Sequence, residues 1–423
     1  MNARIKNLIK QPLFQRTLAI MLIQASGQLV AFLTAIILAR HLQVAEYGQY
    51  IFGITLATII AVIATFGADG VLARTWGWSE HTKDVYQRNQ QVFHTHNWYW
   101  FRGIGLLVTC LIAMLLIHHV APIAAIERYA IIFALPFFIA NLLQSFFIGT
   151  KRGVWANAIQ LGLRLIMFAV VAIGLLVITT DQITGLIMIM LIATSGFVCL
   201  IWARATTYYG VIQRRPSGSN VAFMLLKWGN LLISQIDIIL VRLLSNSDQV
   251  AFYGVALQLN LMVAFVLNAV SANIMAQIAH DFKHLTKTEF QHRIYQYTKL
   301  IVALSAVALG GMVSVGYWVT QLYGSAYVMA YWIFCVLAVG QLVNILCGNV
   351  FTIFNMAGFE KLSCRVFYTA LAINLIFGWG LFWPFGVFGI AMASVIAMIY
   401  WNIHLVLLVK QKIHINPTIF FRA

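Results

Sequence analysis

Long apolar runs separated by short polar gaps fill this chain almost from end to end. An apolar helix of about 20 residues crosses the roughly 30 Å hydrocarbon core of a bilayer. The pattern therefore predicts about twelve spans, at 15–39, 48–72, 98–120, 129–149, 154–178, 184–206, 221–244, 249–279, 295–320, 326–352, 363–383 and 386–408. The fold class expected is all-α, a polytopic membrane protein. The gaps differ in charge. Most of the 27 Lys and Arg residues fall in or beside one alternate set, with Arg40, Arg128 and Arg242 on the other side and Arg164 deep inside a span. This is the positive-inside asymmetry that orients membrane proteins. An even number of spans returns the chain to its starting side, and the basic ends (Arg4, Lys6 and Lys10; Lys410 and Lys412) place both termini in the cytoplasm.

Composition sharpens this picture. With 62% hydrophobic and 9% charged residues and a mean hydropathy of +0.87, the chain has too little polar surface for a soluble domain of 423 residues. Its net charge of +16 is spread over the cytoplasmic gaps. There it serves topology and contact with anionic membrane lipids; no nucleic-acid partner is expected. The five cysteines, Cys110, Cys199, Cys335, Cys347 and Cys364, form no CxxC pair, so neither a disulfide nor a metal site is expected. The first apolar stretch is too long for a signal-peptide core of roughly 7–15 residues and reads as a retained span.

The outer connections are short, and the largest inner loop, about 73–97, is too small for a catalytic domain. Any activity must reside in the helices or at their mouths. Neither a Walker A nor a GxSxG sequence is present, so ATP coupling and hydrolase chemistry have no support, and no enzyme is expected. His94-Thr95-His96 and His118-His119 lack companion ligands and read as loop or interfacial histidines. Trp98-Tyr99-Trp100-Phe101 fits an interfacial aromatic belt opening the third span, and Pro136 should kink the fourth.

The chain also repeats itself. Ile36-Ile37-Leu38-Ala39-Arg40-His41-Leu42 recurs half a chain later as Ile238-Ile239-Leu240-Val241-Arg242-Leu243-Leu244, and Tyr50 has a counterpart in Tyr253. Two six-helix lobes follow, 1–207 and 221–423, joined by a cytoplasmic linker at 208–220. Parallel repeats of this kind suit a transporter whose halves rock about a central site.

At these residues the chain resembles a known family. Ala39-Arg40-x-Leu42-x-x-x-Glu46-Tyr47-Gly48-x-Tyr50-x-Phe52, Ser234-Gln235-x-Asp237-x-x-x-Val241, Tyr323-Gly324-x-x-Tyr327 with Asn355-x-x-Gly358-x-x-Lys361, and Gly386-x-x-Gly389-x-Ala391-x-Ala393-Ser394 lie in family order. They resemble polysaccharide transporters of the multidrug/oligosaccharidyl-lipid/polysaccharide exporter superfamily. Asp248-Gln249-Val250-Ala251-Phe252-Tyr253 departs from that pattern by lacking a glycine. The resemblance implies a flippase of the bacterial inner membrane that moves undecaprenyl-diphosphate-linked oligosaccharide for O-antigen, capsule or exopolysaccharide synthesis. It also implies lipid-linked oligosaccharide as cargo and, as partners, a polysaccharide polymerase and a chain-length regulator.

Polar residues inside spans are functional candidates because burying them in hydrocarbon is costly. Arg164 lies about ten residues, or near 15 Å, into its span, with Asn157 and Gln160 on the same face. The face either lines a wet cavity or locks helices through a buried acid. Lys227, Asn230, Ser234 and Asp237 form a second stripe, and Gln341, Asn344, Gly348 and Asn355 a third, for which interhelical packing is the alternative. Arg164 and Lys227 are the expected head-group contacts, since lipid diphosphate is anionic and Arg suits phosphate oxygens. Asn157, Gln160, Asn230 and Ser234 would assist. Asp237 is the ion-coupling candidate for a proton or sodium ion, or else a counter-charge for Lys227 or Arg164; no other cofactor is implied. Arg40, Arg242 and Asp69 are gating or interface candidates. A cation-coupled drug exporter and a membrane polymerase remain as rival readings.

Overall fold

The computed structural model describes residues 12–68, 71–72, 84–120, 125–177, 183–210 and 221–420. Everything regular among them is helical. The α-helices are α1 (Pro12–His41), α2 (Val44–Ala64), α3 (Val85–Val120), α4 (Ala125–Ile132), α5 (Ala134–Gly149), α6 (Gly153–Val177), α7 (Ile183–Tyr209), α8 (Val221–Leu244), α9 (Ser247–His284), α10 (Lys287–Gln321), α11 (Val328–Cys347), α12 (Val350–Met356), α13 (Glu360–Phe385) and α14 (Val387–Lys412). Among the described residues, 11 helical stretches are long and apolar enough to cross a membrane. The remaining expected span, 98–120, falls within α3. Large apolar side chains point outward, with Val307 76% and Ile192 71% exposed, as lipid-facing surfaces require.

The chain divides into two compact units. Unit 1 comprises Met1–Gln43 and Gln49–Met224; unit 2 comprises Val44–Gly48 and Leu225–Ala423. Residues 211–220 of the expected linker lie outside the described residues. In unit 1, an aromatic core of Phe93, Phe138, Phe146 and Tyr209 fills the space between α3, α5 and α7. In unit 2, Phe290, Ile294, Phe354, Leu405 and Val409 form the corresponding core, joined by Ile413 and Ile415 beyond the last helix.

Several spans depart from the expected outline. α3 begins at Val85, well before the expected start at Trp98. Hydropathy marks apolar length, not helicity, and the polar turns of 85–97 escape it. Those turns carry Tyr86, Gln90 and His94 four residues apart on one face. Tyr86 Oη donates to the Tyr208 carbonyl (2.8 Å), Gln90 Nε2 donates to that of Tyr209 (3.2 Å), and His94 Nε2 lies 3.2 Å from the same oxygen. These contacts satisfy carbonyls that the end of α7 leaves without intrahelical partners. His96 is stacked on Phe93 in the core, with centroids 5.2 Å apart. His94 and His96 are thus helix residues, not loop histidines. Nor is the aromatic run a simple belt, for Trp100 stacks on Trp202 (4.5 Å) inside the unit.

Pro136 does break its span, but three residues upstream, at Phe133, between α4 and α5. Proline cannot donate to the Ile132 carbonyl, and its ring clashes with the same group. The tenth span is interrupted too. α11 stops at Gly348 (φ 71), and α12 restarts at Val350. The segment after α14 folds across this break. Ile419 N donates to the Leu346 carbonyl (3.4 Å), Thr298 Oγ1 donates to that of Pro417 (2.9 Å), and Gln291 pairs with both backbone groups of Asn416.

Candidate functional site

Unit 1 carries a polar band across three adjacent helices. α6 supplies Asn157, Gln160 and Arg164, whose spacings of three and four residues put them on one face. On one side, Gln24 Nε2 of α1 donates to Asn157 Oδ1 (2.9 Å), and Arg164 Nη1 donates to Gln28 Oε1 (3.3 Å). On the other, Gln160 Nε2 donates to Asn141 Oδ1 (3.3 Å) and Gln144 Oε1 (3.2 Å) of α5. Gly27 permits this approach, since a Cβ there would sit 3.1 Å from Arg164 Nη1. All seven side chains are half-buried. None of their polar atoms is both sealed from solvent and unpartnered. Among the described residues the Arg164 guanidinium has an amide partner and no carboxylate, so the helix-locking ion pair raised as an alternative is not formed there. Asn157, Gln160 and Arg164 thus share one helix face, but each bonds to different partners on α1 or α5. Chemically, the band offers neutral donors and acceptors with a single fixed cation.

Unit 2 contains a sealed counterpart. Asp237 of α8 is 2% exposed. Its carboxylate accepts from Tyr253 Oη of α9, Asn374 Nδ2 of α13 and Ser394 Oγ of α14, each at 2.8 Å. These partners are neutral, and neither Lys227 nor Arg164, the expected counter-charges, is among them. Asn374 Oδ1 is itself buried and has no hydrogen-bond partner among the described residues. The expected α8 stripe divides accordingly. Asp237 points into the unit, Lys227 is half-buried, and Asn230 and Ser234 are exposed. Ser234 Oγ turns back to the Leu231 carbonyl (2.7 Å).

Arg40 and Arg242 occupy the last turns of α1 and α8, where a cation complements the negative helix end. The repeat is visible in their surroundings. Each helix is followed by a two-residue turn and a new helix, and Tyr50 and Tyr253 are both buried. Asp69 lies outside the described residues. On the tenth span, Gly348 ends α11, while Gln341, Asn349 and Asn355 are buried beside the break.

The family-like fragments, scattered in sequence, meet in pairs within unit 2. Tyr47 packs edge-on against Tyr327, with centroids 6.0 Å apart, and Tyr323 Oη donates to Gln258 (2.6 Å). Gly48 has no room for a Cβ against the Ser247 carbonyl, so α2 starts in contact with α9. Ser394, from the last fragment, bonds Asp237, from the second. Sequence reasoning missed Gln24, Gln28, Asn141, Gln144 and Asn374, and it quoted Tyr253 and Ser394 only in the repeat and the family-like fragments, without a site role. It also missed two buried acids, Glu127 and Asp281, the latter accepting from Gln277 Nε2 (2.7 Å) and lying 3.9 Å from Arg293 Nε.

A family model described as polysaccharide biosynthesis protein matches residues 13–274, more than half of the chain. Solved structures share the fold. An inward-facing multidrug resistance transporter of the MATE family, in the MOP superfamily, matches with a TM-score of 0.70 at 14% identity, over 92% of this chain and 94% of that one. The lipid II flippase MurJ, in an inward closed conformation, gives 0.70 at 13% identity over 92% and 87%. A MOP superfamily transporter from Pyrococcus furiosus, described as having a binding pocket of reversed polarity, gives 0.67 at 12% over 95% of each chain. No curated protein matches the sequence.

Proposed function

Because the chain belongs to the polysaccharide biosynthesis protein family and folds as a multi-pass transporter of the MOP type, we propose that it flips polyprenyl-diphosphate-linked oligosaccharide. The membrane would be the bacterial inner membrane, with both termini cytoplasmic and the carrier undecaprenyl diphosphate. Its product would feed O-antigen, capsule or exopolysaccharide synthesis, where a polymerase and a chain-length regulator are the partners to test. The polar band of unit 1 carries this reading. Its four interhelical hydrogen bonds contribute about 2 kcal/mol at the roughly 0.6 kcal/mol typical of membrane helices. Each polar group left facing hydrocarbon would cost several kcal/mol. The exposed parts of these seven polar side chains are therefore better matched to water and cargo than to lipid.

Arg164 supplies the anion contact, with Asn157 and Gln160 beside it. Lys227, Asn230 and Ser234 are second-unit contacts in the same proposal, and Arg40, Arg242 and Asp69 are candidates for gating. Asp237 is where a coupling proton or sodium ion would act. A buried carboxylate with only neutral partners can gain a proton, and the oxygens of Ser394, Tyr253 and Asn374 suit a hard cation. Alternating exposure of the cargo site to the two sides of the membrane would complete the cycle. Arg164→Ala should reduce export of lipid-linked glycan about 10- to 100-fold, the effect of losing one charged hydrogen bond, while membrane insertion stays normal. Export at the parental rate would overturn the assignment. The MATE-type fold and the buried acid also favour a second reading, a cation-coupled drug exporter. Drug resistance conferred on a pump-deficient host, without glycan export, would select it.

A further inference from the structure

We infer that Gln24, Gln28, Asn141 and Gln144, together with Asn157 and Gln160, form a neutral glycan subsite separate in chemistry from the anion contact at Arg164. The inference rests on the flippase reading and deepens it. Six amides and one guanidinium make up the band. That ratio is wrong for a site dedicated to diphosphate, which favours clustered cations. Sugar hydroxyls, in contrast, both donate and accept, and so does every Asn and Gln amide.

The connectivity leaves capacity for such a ligand. Gln160 donates to two amides at once, and Asn141 and Gln144 only accept in those bonds. Gln24 only donates and Gln28 only accepts. Each of these side chains keeps a second polar atom unengaged by the described residues, and none of those atoms is sealed from solvent. These five amides are held by the bonds of the band and keep one end open, whereas Asn157, whose Nδ2 also donates to the Gly153 carbonyl (2.8 Å), has both ends engaged and serves to hold Gln24. This preorganisation lowers the ordering cost of binding. From Asn157 to Arg164 the band rises about 10 Å along α6, enough for more than one sugar residue. The single cation at its end would meet the phosphate-bearing part of the same molecule.

The experiment uses the full-length protein in proteoliposomes with two cargoes. One is the host's own polyprenyl-diphosphate oligosaccharide; the other is the same carrier bearing one sugar. In the double variant Asn141→Leu/Gln144→Leu, translocation of the oligosaccharide should fall at least about tenfold, consistent with one or two lost hydrogen bonds. Translocation of the one-sugar carrier should stay within about twofold, which also shows that the variant is folded. Gln24→Leu should follow the same pattern, and Arg164→Gln should depress both cargoes together. Equal loss of both cargoes in the amide variants, or loss of neither, would overturn the glycan subsite. If the parental protein moves neither cargo, the flippase reading itself fails, whatever the amides do.

Discussion

The two units handle buried polarity in opposite ways. In unit 1, seven half-buried side chains share four hydrogen bonds and leave much of their capacity open. In unit 2, one carboxylate is sealed and accepts from three neighbouring helices. The first arrangement suits a cargo that must come and go, because its bonds can be exchanged for those of a ligand at small cost. The second suits a switch. Adding or removing one charge at Asp237 changes the balance of every helix that donates to it, α9, α13 and α14. A buried charge without a cationic partner is expensive, so its protonation or cation occupancy can be coupled to helix rearrangement.

The largest test of this contrast is stability. Asp237→Ala would strand three buried donors, each costing about 1–3 kcal/mol, whereas Arg164→Ala exposes groups that water can satisfy and should cost under about 1 kcal/mol. Thermal unfolding of the purified protein in detergent measures both. Equal shifts would erase the distinction between a sealed and an open site. Asp237→Asn keeps the shape and removes the charge. Gradient-driven glycan transport should then drop more than about tenfold while exchange without a gradient persists. Unchanged dependence on a proton or sodium gradient would remove Asp237 from coupling. Tyr253→Phe deletes one of the three donors and nothing else in volume. It should cost about 1.5–3 kcal/mol, as expected for a hydrogen bond to a charged group, and shift gradient dependence without abolishing transport.

Helical class and membrane character were legible because apolar length is written directly into each span. Helix ends and breaks were less so. Pro136 announces an interruption, but the missing hydrogen bond belongs to a carbonyl four residues earlier, so the turn falls at Phe133. The tenth span is continuous in hydropathy although Gly348 adopts a left-handed φ of 71°. The α6 face was readable from its own period, and Gln24/Gln28 and Asn141/Gln144 carry similar helical spacings. What one period cannot say is which helix stands next to which. Asp237 shows this most clearly. Its residue type marked it as costly inside a span, yet its partners Asn374 and Ser394 lie more than a hundred positions away, the first an ordinary polar residue in sequence and the second quoted only as part of a family-like fragment.

The smallest expected effect guards the comparison itself. Gln291 Nε2 donates to the Asn416 carbonyl (2.8 Å), and its Oε1 accepts from the Asn416 N–H (2.6 Å), pinning the segment after α14. Gln291→Leu should destabilise the protein by about 1 kcal/mol, the net worth of one or two neutral hydrogen bonds. The segment should remain docked through Ile413, Ile415 and Thr298. Limited proteolysis of the C-terminal end and glycan transport would be measured together, with slightly faster cleavage and parental transport expected. If transport instead fell in step with this small loss, any perturbation of unit 2 would impair the cycle. The effects at Asp237 would then report stability rather than a coupled charge.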